Sequence, residues 1–209
     1  RKTGAANRKV QKLMNLMNME TVHVAWDFLK ENGLKALILK SKHKIQGIDD
    51  DYDYAEWWNL TKPSEEELEE QKKKKFDYMP KFSIVIPVYK TPEKFLKEML
   101  DSIVEQTYAN WELCIADGSP AGESVENVLK KYAEKDARIR YQVLGENRGI
   151  SGNTNAALEM AEGDFIVLAD HDDRLTPNAL FECAKKLNEN ENCDVLYSDE
   201  DKLDMDGDE

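Results

Sequence analysis

The chain has 209 residues, of which 41% are hydrophobic and 34% charged, and its formal net charge is −13 at pH 7. This length can bury one sizeable core, the acidic balance argues against a nucleic-acid partner, and the apolar runs are far shorter than a membrane span. The three cysteines, Cys114, Cys183 and Cys193, lack metal-ligand spacing. They are typical of reduced thiols, so we expect a cytoplasmic location. The first residue is Arg1 rather than Met, and we expect a piece of a longer protein.

Residues 1–48 are predicted to form a helical N-terminal appendage. Apolar residues in 8–40 recur at helical spacing, and Gly33 is expected to end a helix. The segment carries ten Lys or Arg against three Asp or Glu. A solvated helical face explains this balance best, because Lys-rich faces are ordinary. The alternative is a peripheral contact with the acidic inner face of the cell membrane.

Residues 49–79 are predicted to form a linker with an aromatic docking segment. Four large rings lie within seven residues: Tyr52, Tyr54, Trp57 and Trp58. Such rings are costly to leave in water, so we expect Tyr54 and Trp57 to pack onto the following domain rather than to bind sugar. Ser64 followed by Glu67 predicts a capping box at the start of a helix.

Residues 80–209 alternate between buried-strand and helix patterns, which predicts an α/β domain with a mostly parallel sheet covered by helices on both faces. The predicted strands are Phe82–Tyr89, Trp111–Asp117, Ile139–Leu144, Asp164–Ala169 and Asp194–Tyr197. The predicted helices span about 91–106, 124–135, 151–161 and 176–188. Ligands of open α/β sheets bind beyond the carboxyl ends of the strands, where this chain places polar residues.

The sharpest of these strand ends is Asp170-His171-Asp172-Asp173. Three carboxylates within four residues repel one another unless a cation neutralises them. Oxygen ligands suit a hard ion, Mg²⁺ or Mn²⁺, which usually also binds phosphate oxygens. The alternative is an acidic strand-to-helix loop that interacts with the dipole of the next helix.

Two further positions each leave two interpretations open. Asp117 ends the second strand and precedes Gly118, so it serves either a nucleotide contact or ordinary Asp-Gly turn chemistry. Arg148 precedes a predicted helix that starts at Ser151. It is suited to a phosphate or base contact, although a loop capped by Ser151 explains the local sequence better.

These motifs, in this order, resemble family 2 glycosyltransferases. The matching segments are Phe82-Ser83-Ile84-Val85-Ile86-Pro87-Val88-Tyr89, Asp117-Gly118-Ser119, Asn147-Arg148-Gly149 and Asp170-His171-Asp172-Asp173. Gly149-Ile150-Ser151 and Tyr197-Ser198-Asp199-Glu200-Asp201-Lys202 are similar to bacterial O-antigen and rhamnan-type synthesis proteins. The resemblance covers about residues 52–206.

The resemblance implies a GT-A (Rossmann-like) fold that transfers sugar from a UDP- or dTDP-type donor to a glycan or lipid-linked acceptor. It implies Mn²⁺ or Mg²⁺ at Asp170 and Asp172, with Asp117 at the base and Asp170 at the ribose and diphosphate. The nucleotide-binding residues expected on this basis are Pro87, Val88, Tyr89, Asp117, Arg148 and Asp170.

Two departures from the family pattern matter. Ala116 stands where the family often has a first Asp before Asp-Gly-Ser. The family's catalytic base usually lies beyond the fifth strand, so we expect it past Glu209, with Asp199 and Asp201 as weaker candidates. The chain alone is therefore expected to bind donor but to transfer sugar poorly.

Two other functions remain as alternatives. One is a nucleotide-sugar-binding module without turnover. The other is a haloacid-dehalogenase-type phosphatase, which also has an Asp-x-Asp motif after an apolar strand, with the first Asp as nucleophile. That class carries the motif on its first strand, whereas here it follows the fourth.

Overall fold

The computed structural model describes residues 58–59, 62–190, 192–198 and 200. Residues 64–198 form one compact unit that contains the sheet and its helices. The predictions for residues 1–48, Tyr54, Trp57, Asp199 and Asp201 concern positions outside the described residues. The division of the chain at residues 48 and 79 stays a prediction.

Within the described residues, four parallel strands form the sheet, in the order β3-β2-β1-β4. Their bounds are Phe82–Val88 (β1), Trp111–Asp117 (β2), Ile139–Val143 (β3) and Phe165–Leu168 (β4). The first two are buried at every residue and consist largely of apolar side chains, as expected for inner strands of a parallel sheet. The α/β class and the mostly parallel sheet are confirmed.

Five helices accompany the strands in the described part of the chain. They are Glu65–Lys73 (α1), Glu93–Val104 (α2), Glu126–Ala133 (α3), Gly149–Leu158 (α4) and Ala179–Glu189 (α5). The predicted capping box begins α1, because Ser64 and Glu67 each bond the other's backbone N–H. Across the described stretches, no helix is both long and apolar enough to cross a bilayer.

The helices cover both faces of the sheet. Ile84 and Ile86 of β1 belong to the main apolar cluster, together with the buried residues of α2, α3 and α5. Val85 points the opposite way and packs with Ala116, Ala156 and Ala157, so α4 covers the second face. Small alanines on both sides of this second interface let α4 approach the sheet closely.

The predicted fifth strand at Asp194–Tyr197 is wrong, since residues 192–198 belong to no strand. Val195 is 80% exposed and Tyr197 94% exposed. Their apolar pattern favours a strand, but a strand also needs a neighbouring backbone to bond with. None of the described strands pairs with this segment. In keeping with this, β4 bonds only to β1 among the described strands, and Leu168 is 72% exposed.

A buried carboxylate, Glu112, ties the amino-terminal edge of the sheet together. It bonds Lys81 Nζ at 2.6 Å, Ser83 Oγ at 2.6 Å, the Glu162 N–H at 2.5 Å and Arg140 Nη2 at 2.7 Å. Burial alone would raise the pKa of Glu112, but the hydrogen bonds and the Arg140 charge outweigh it and lower the pKa from 4.5 to about 2. The ionised form therefore stabilises the folded chain.

We predict that Glu112→Gln lowers the free energy of unfolding by about 2–3 kcal/mol at neutral pH. Because the folded pKa lies below the ordinary value, the stabilisation is complete above about pH 4.5 and is lost as the pH falls toward about 2. Urea unfolding of both proteins between pH 2 and 7 measures the difference. Glu189→Gln breaks an exposed pair with Lys186 and should cost less than about 0.5 kcal/mol. A difference that does not change with pH would contradict the assignment.

Candidate functional site

The parallel sheet brings four of the predicted site residues to one edge, which we call the carboxyl edge because it follows the carboxyl ends of the strands. Across this edge, following the strand order, come Arg148 after β3, Asp117 at the end of β2, Tyr89 after β1 and Asp170 after β4. Parallel pairing sets Val88 level with Asp117. Neighbouring strands lie about 4.8 Å apart, so the strand ends that these residues occupy or follow form a row along the edge.

The end of β1 contributes Tyr89 rather than its neighbours. Pro87 and Val88 are buried, and Val88 packs in the main apolar cluster. Tyr89 is 39% exposed, and Lys90 follows it with a φ of 51°, a left-handed conformation that turns the chain sharply. Of the three residues predicted here, only Tyr89 presents its side chain at the surface.

Asp117 is fully buried, and its carboxylate organises the turn that follows β2. Oδ1 accepts a hydrogen bond from the Ser119 N–H at 2.9 Å. Oδ2 accepts bonds from Ser124 Oγ at 2.7 Å and from the Val125 N–H at 3.2 Å. The turn chemistry that the sequence left open is therefore present. The predicted contact with a nucleotide base stays a prediction.

Arg148 lies at the start of α4, in a loop made of Asn147, Arg148 and Gly149, the 147–149 loop. Its side chain is about half exposed, and Nε lies 3.2 Å from Glu146 Oε1. Gly149 adopts a φ of 74°, a conformation that side chains other than glycine rarely take. Helix α4 begins at this glycine rather than at Ser151, so Ser151 is not its cap.

Residues 170–173 form an exposed acidic turn after β4. Asp170, Asp172 and Asp173 are exposed, and the Asp173 N–H closes the turn on the Asp170 carbonyl at 3.4 Å. His171 is partly buried, with Nδ1 3.6 Å from Asp172 Oδ1. The structure thus keeps the carboxylates accessible to solvent and to a ligand.

The chemistry of the acidic turn fits a divalent cation held jointly with a phosphate ligand. Within the described residues, no three His, Cys, Asp or Glu side chains are gathered into a cage that could hold a metal by themselves. Mg²⁺ sites commonly use one or two carboxylates, several waters and phosphate oxygens. Asp170 and Asp172, two exposed carboxylates two residues apart, match that donor set.

Two polar residues near this edge escaped the sequence analysis. Ser119 Oγ accepts a bond from the Lys90 N–H at 2.8 Å, which joins the turns after β1 and β2. Asn153 is buried on α4 and bonds the 147–149 loop. One signal in the sequence could have found Asn153: Ala156 and Ala157 follow it by three and four residues. Residues at this spacing share one face of a helix, so Asn153 lies on the same face as these two alanines.

A pocket of about 290 Å³ lies at the opposite, amino-terminal edge of the sheet. Its lining includes Lys81, Glu112, Arg140 and Glu162, whose charges already pair with one another. A ligand there would have to break these pairs. The exposed carboxylates of the carboxyl edge are the better candidate site.

Comparison with known proteins places these features in a family. The family model described as "Glycosyl transferase family 2" matches residues 83–205. The chain is 30% identical over 155 residues to the O-antigen biosynthesis protein RfbC of Myxococcus xanthus, across 74% of the chain and 12% of RfbC. It is 31% identical over 113 residues to GalNAc(5)-diNAcBac-PP-undecaprenol beta-1,3-glucosyltransferase of Campylobacter jejuni, across 53% of the chain and 36% of that enzyme.

Among solved structures, the chain resembles residues 1–349 of S. aureus TarS in complex with UDP. The match has a TM-score of 0.48 and 29% sequence identity, and it covers 53% of this chain and 33% of that 1–349 chain. The chain spans well under half the length of the two curated relatives, RfbC and the Campylobacter enzyme.

We predict that Asp117→Ala destabilises the chain by about 1–3 kcal/mol, because three donors lose their acceptor in a buried turn. Urea unfolding measures this cost. Asp173→Ala removes an exposed carboxylate from a loop and should change stability by less than about 0.5 kcal/mol. Wild-type stability of the Asp117 variant would show that the turn does not depend on this carboxylate.

Proposed function

We propose that this chain, which belongs to glycosyl transferase family 2, binds a nucleotide-sugar donor at the carboxyl edge of its sheet. In the whole protein this site serves the transfer of a sugar to a glycan or lipid-linked acceptor during synthesis of cell-surface polysaccharide. The observation that carries the proposal is the row formed by Arg148, Asp117, Tyr89 and Asp170 across four neighbouring parallel strands. Family membership supports the reaction class.

Each end of the row offers a different chemistry to a nucleotide diphosphate. Asp170 and Asp172 are suited to a divalent cation, Mn²⁺ or Mg²⁺, at the β4 end. Such a cation, when bound, neutralises the charge that develops on a departing diphosphate. Tyr89 offers an exposed ring beside the centre of the row, where a base or ribose can pack. Arg148 offers a guanidinium at the β3 end.

The acceptor is the less constrained part of the proposal. RfbC is named for O-antigen biosynthesis and the Campylobacter enzyme for an undecaprenol-linked substrate. A polyprenyl-linked acceptor would place this site at the inner face of a membrane, where the basic residues of 1–48 could contact acidic lipids. The catalytic base stays a prediction, with Asp199 and Asp201 as candidates within the chain.

A non-catalytic nucleotide-sugar module differs from this proposal only in turnover. Metal-dependent formation of a glycosylated product by the full-length protein supports the enzyme. Binding without product, with an acceptor that a related transferase does use, supports the module. The phosphatase alternative gains no support from the family match, which covers the acidic turn itself.

We predict that Asp172→Asn removes the dependence of nucleotide binding on the cation. Titration calorimetry with UDP, dTDP and GDP, each with and without Mn²⁺, measures it. Mn²⁺ should tighten binding by at least tenfold, about 1.4 kcal/mol, in the wild-type chain and by much less in the variant. The variant loses one of the two carboxylates that would hold the cation, and the cation in turn would bind the diphosphate.

Glu159→Gln is the matched control for this experiment. It removes one negative charge from an exposed position at the far end of α4, away from the carboxyl edge. Its Mn²⁺ dependence should equal that of wild type. Equal Mn²⁺ dependence in wild type and Asp172→Asn would remove Asp172 from the cation site.

A further inference from the structure

Asn153 is a buried polar side chain that the proposed ligand contacts do not use. It is 2% exposed and lies in the first turns of α4. Its Oδ1 accepts a hydrogen bond from the Arg148 N–H at 3.1 Å, and its Nδ2 donates to Asn147 Oδ1 at 3.1 Å. Asn147 Oδ1 also accepts the Gly149 N–H at 2.9 Å. One buried amide therefore connects all three residues of the 147–149 loop.

The same amide lies directly against the end of β2. A Cβ added to Gly118 would lie 2.5 Å from Asn153 Nδ2 and 2.8 Å from Oδ1, so only glycine leaves room for this contact. Gly118 is fixed in turn, because its N–H donates to the Val88 carbonyl at 2.9 Å. Asn153 thus lies between the turn after β2 and the loop after β3.

We propose that Asn153 is a positioning residue of the nucleotide site: it holds the 147–149 loop against Gly118 and so sets where Arg148 meets the ligand. This inference rests on the proposed function. Arg148 has a half-exposed side chain that pairs with the exposed Glu146, so the position of its backbone largely sets where the guanidinium can reach. Asn153 bonds that backbone directly.

Close packing within α4 supports the same conclusion. A Cβ added to Gly152 would lie 2.6 Å from Arg148 Cβ. Two glycines therefore allow close packing here: Gly118 lies against the Asn153 amide, and Gly152 lies against the Arg148 side chain. A side chain that merely filled space would need neither hydrogen-bonding group.

The first experiment follows amide hydrogen exchange in the free protein and needs no ligand. Asn153→Ala should speed amide exchange at both Arg148 and Gly149 by about tenfold or more. The Arg148 N–H loses its acceptor, Asn153 Oδ1. The Gly149 N–H keeps its acceptor, Asn147 Oδ1, but that group loses the Asn153 Nδ2 that orients it. Asn153→Asp should keep Arg148 protected, since a carboxylate oxygen still accepts, but expose Gly149, since no Nδ2 remains to bond Asn147. Unchanged exchange in Asn153→Ala overturns the proposal.

The second experiment measures the affinity of the full chain for UDP in the presence of Mn²⁺, by calorimetry. Asn153→Ala and Gly118→Ala should each raise the Kd about tenfold, the second because its methyl group displaces the asparagine. Leu187→Ala shortens a core side chain near the end of α5, so it lowers the melting temperature without touching the loop. Its Kd should equal that of wild type when measured well below its melting temperature.

The two experiments separate the failure of this inference from the failure of the proposed function. A wild-type chain that binds UDP while Asn153→Ala binds equally well overturns the positioning role alone. A wild-type chain that binds no nucleotide overturns the proposed function and the ligand part of this inference together. If the wild-type chain binds no nucleotide, amide exchange at Arg148 and Gly149 still shows whether Asn153 holds the 147–149 loop. A Kd rise in Leu187→Ala equal to that in Asn153→Ala would assign the effect to stability and overturn the positioning role.

Discussion

The structure depends on the parallel pairing of β1 with β2 on one side and β4 on the other. Every residue of β1 is buried; every second side chain from Phe82 to Val88 packs in the main apolar cluster, and Val85 packs in the cluster on the opposite face. Because parallel strands all end at the same edge, this pairing alone carries Tyr89, Asp117 and Asp170 to neighbouring places. Residues up to about eighty positions apart in the chain, such as Tyr89 and Asp170, therefore lie along the same edge of the sheet.

The carboxylates at the two edges of the sheet have opposite environments. At the amino-terminal edge, Glu112 is buried and fully supplied with donors, so its charge is balanced by the protein itself. At the carboxyl edge, Asp170 and Asp172 are exposed. Carboxylates this close in the chain repel one another, and a cation brought by a ligand would relieve that repulsion. The burial of Glu112 and the exposure of Asp170 and Asp172 therefore distinguish the edge that stabilises the fold from the edge proposed to bind.

The sequence predicted β1, β2 and β4 well because each is a short, mostly apolar run. It failed at Asp194–Tyr197, whose apolar pattern says nothing about whether a partner strand is present. The positions at the strand ends were likewise predictable from the order of elements. The contact of Asn153 with Gly118 was not, because it joins α4 to the turn after β2 and leaves no local pattern. The bonds of Asp117 lie within one turn and agree with the Asp-Gly turn chemistry that the sequence left open.

Asp117 shows how a site residue can act through the backbone. A carboxylate offers about four acceptor positions, and three donors of the turn already use this one. Its side chain is fully buried, so a base that bonded it directly would have to open the turn. The exposed groups around it, Tyr89 on one side and Arg148 on the other, reach a ligand without such a rearrangement. In the structure described, Asp117 shapes the turn that lies between these two exposed side chains.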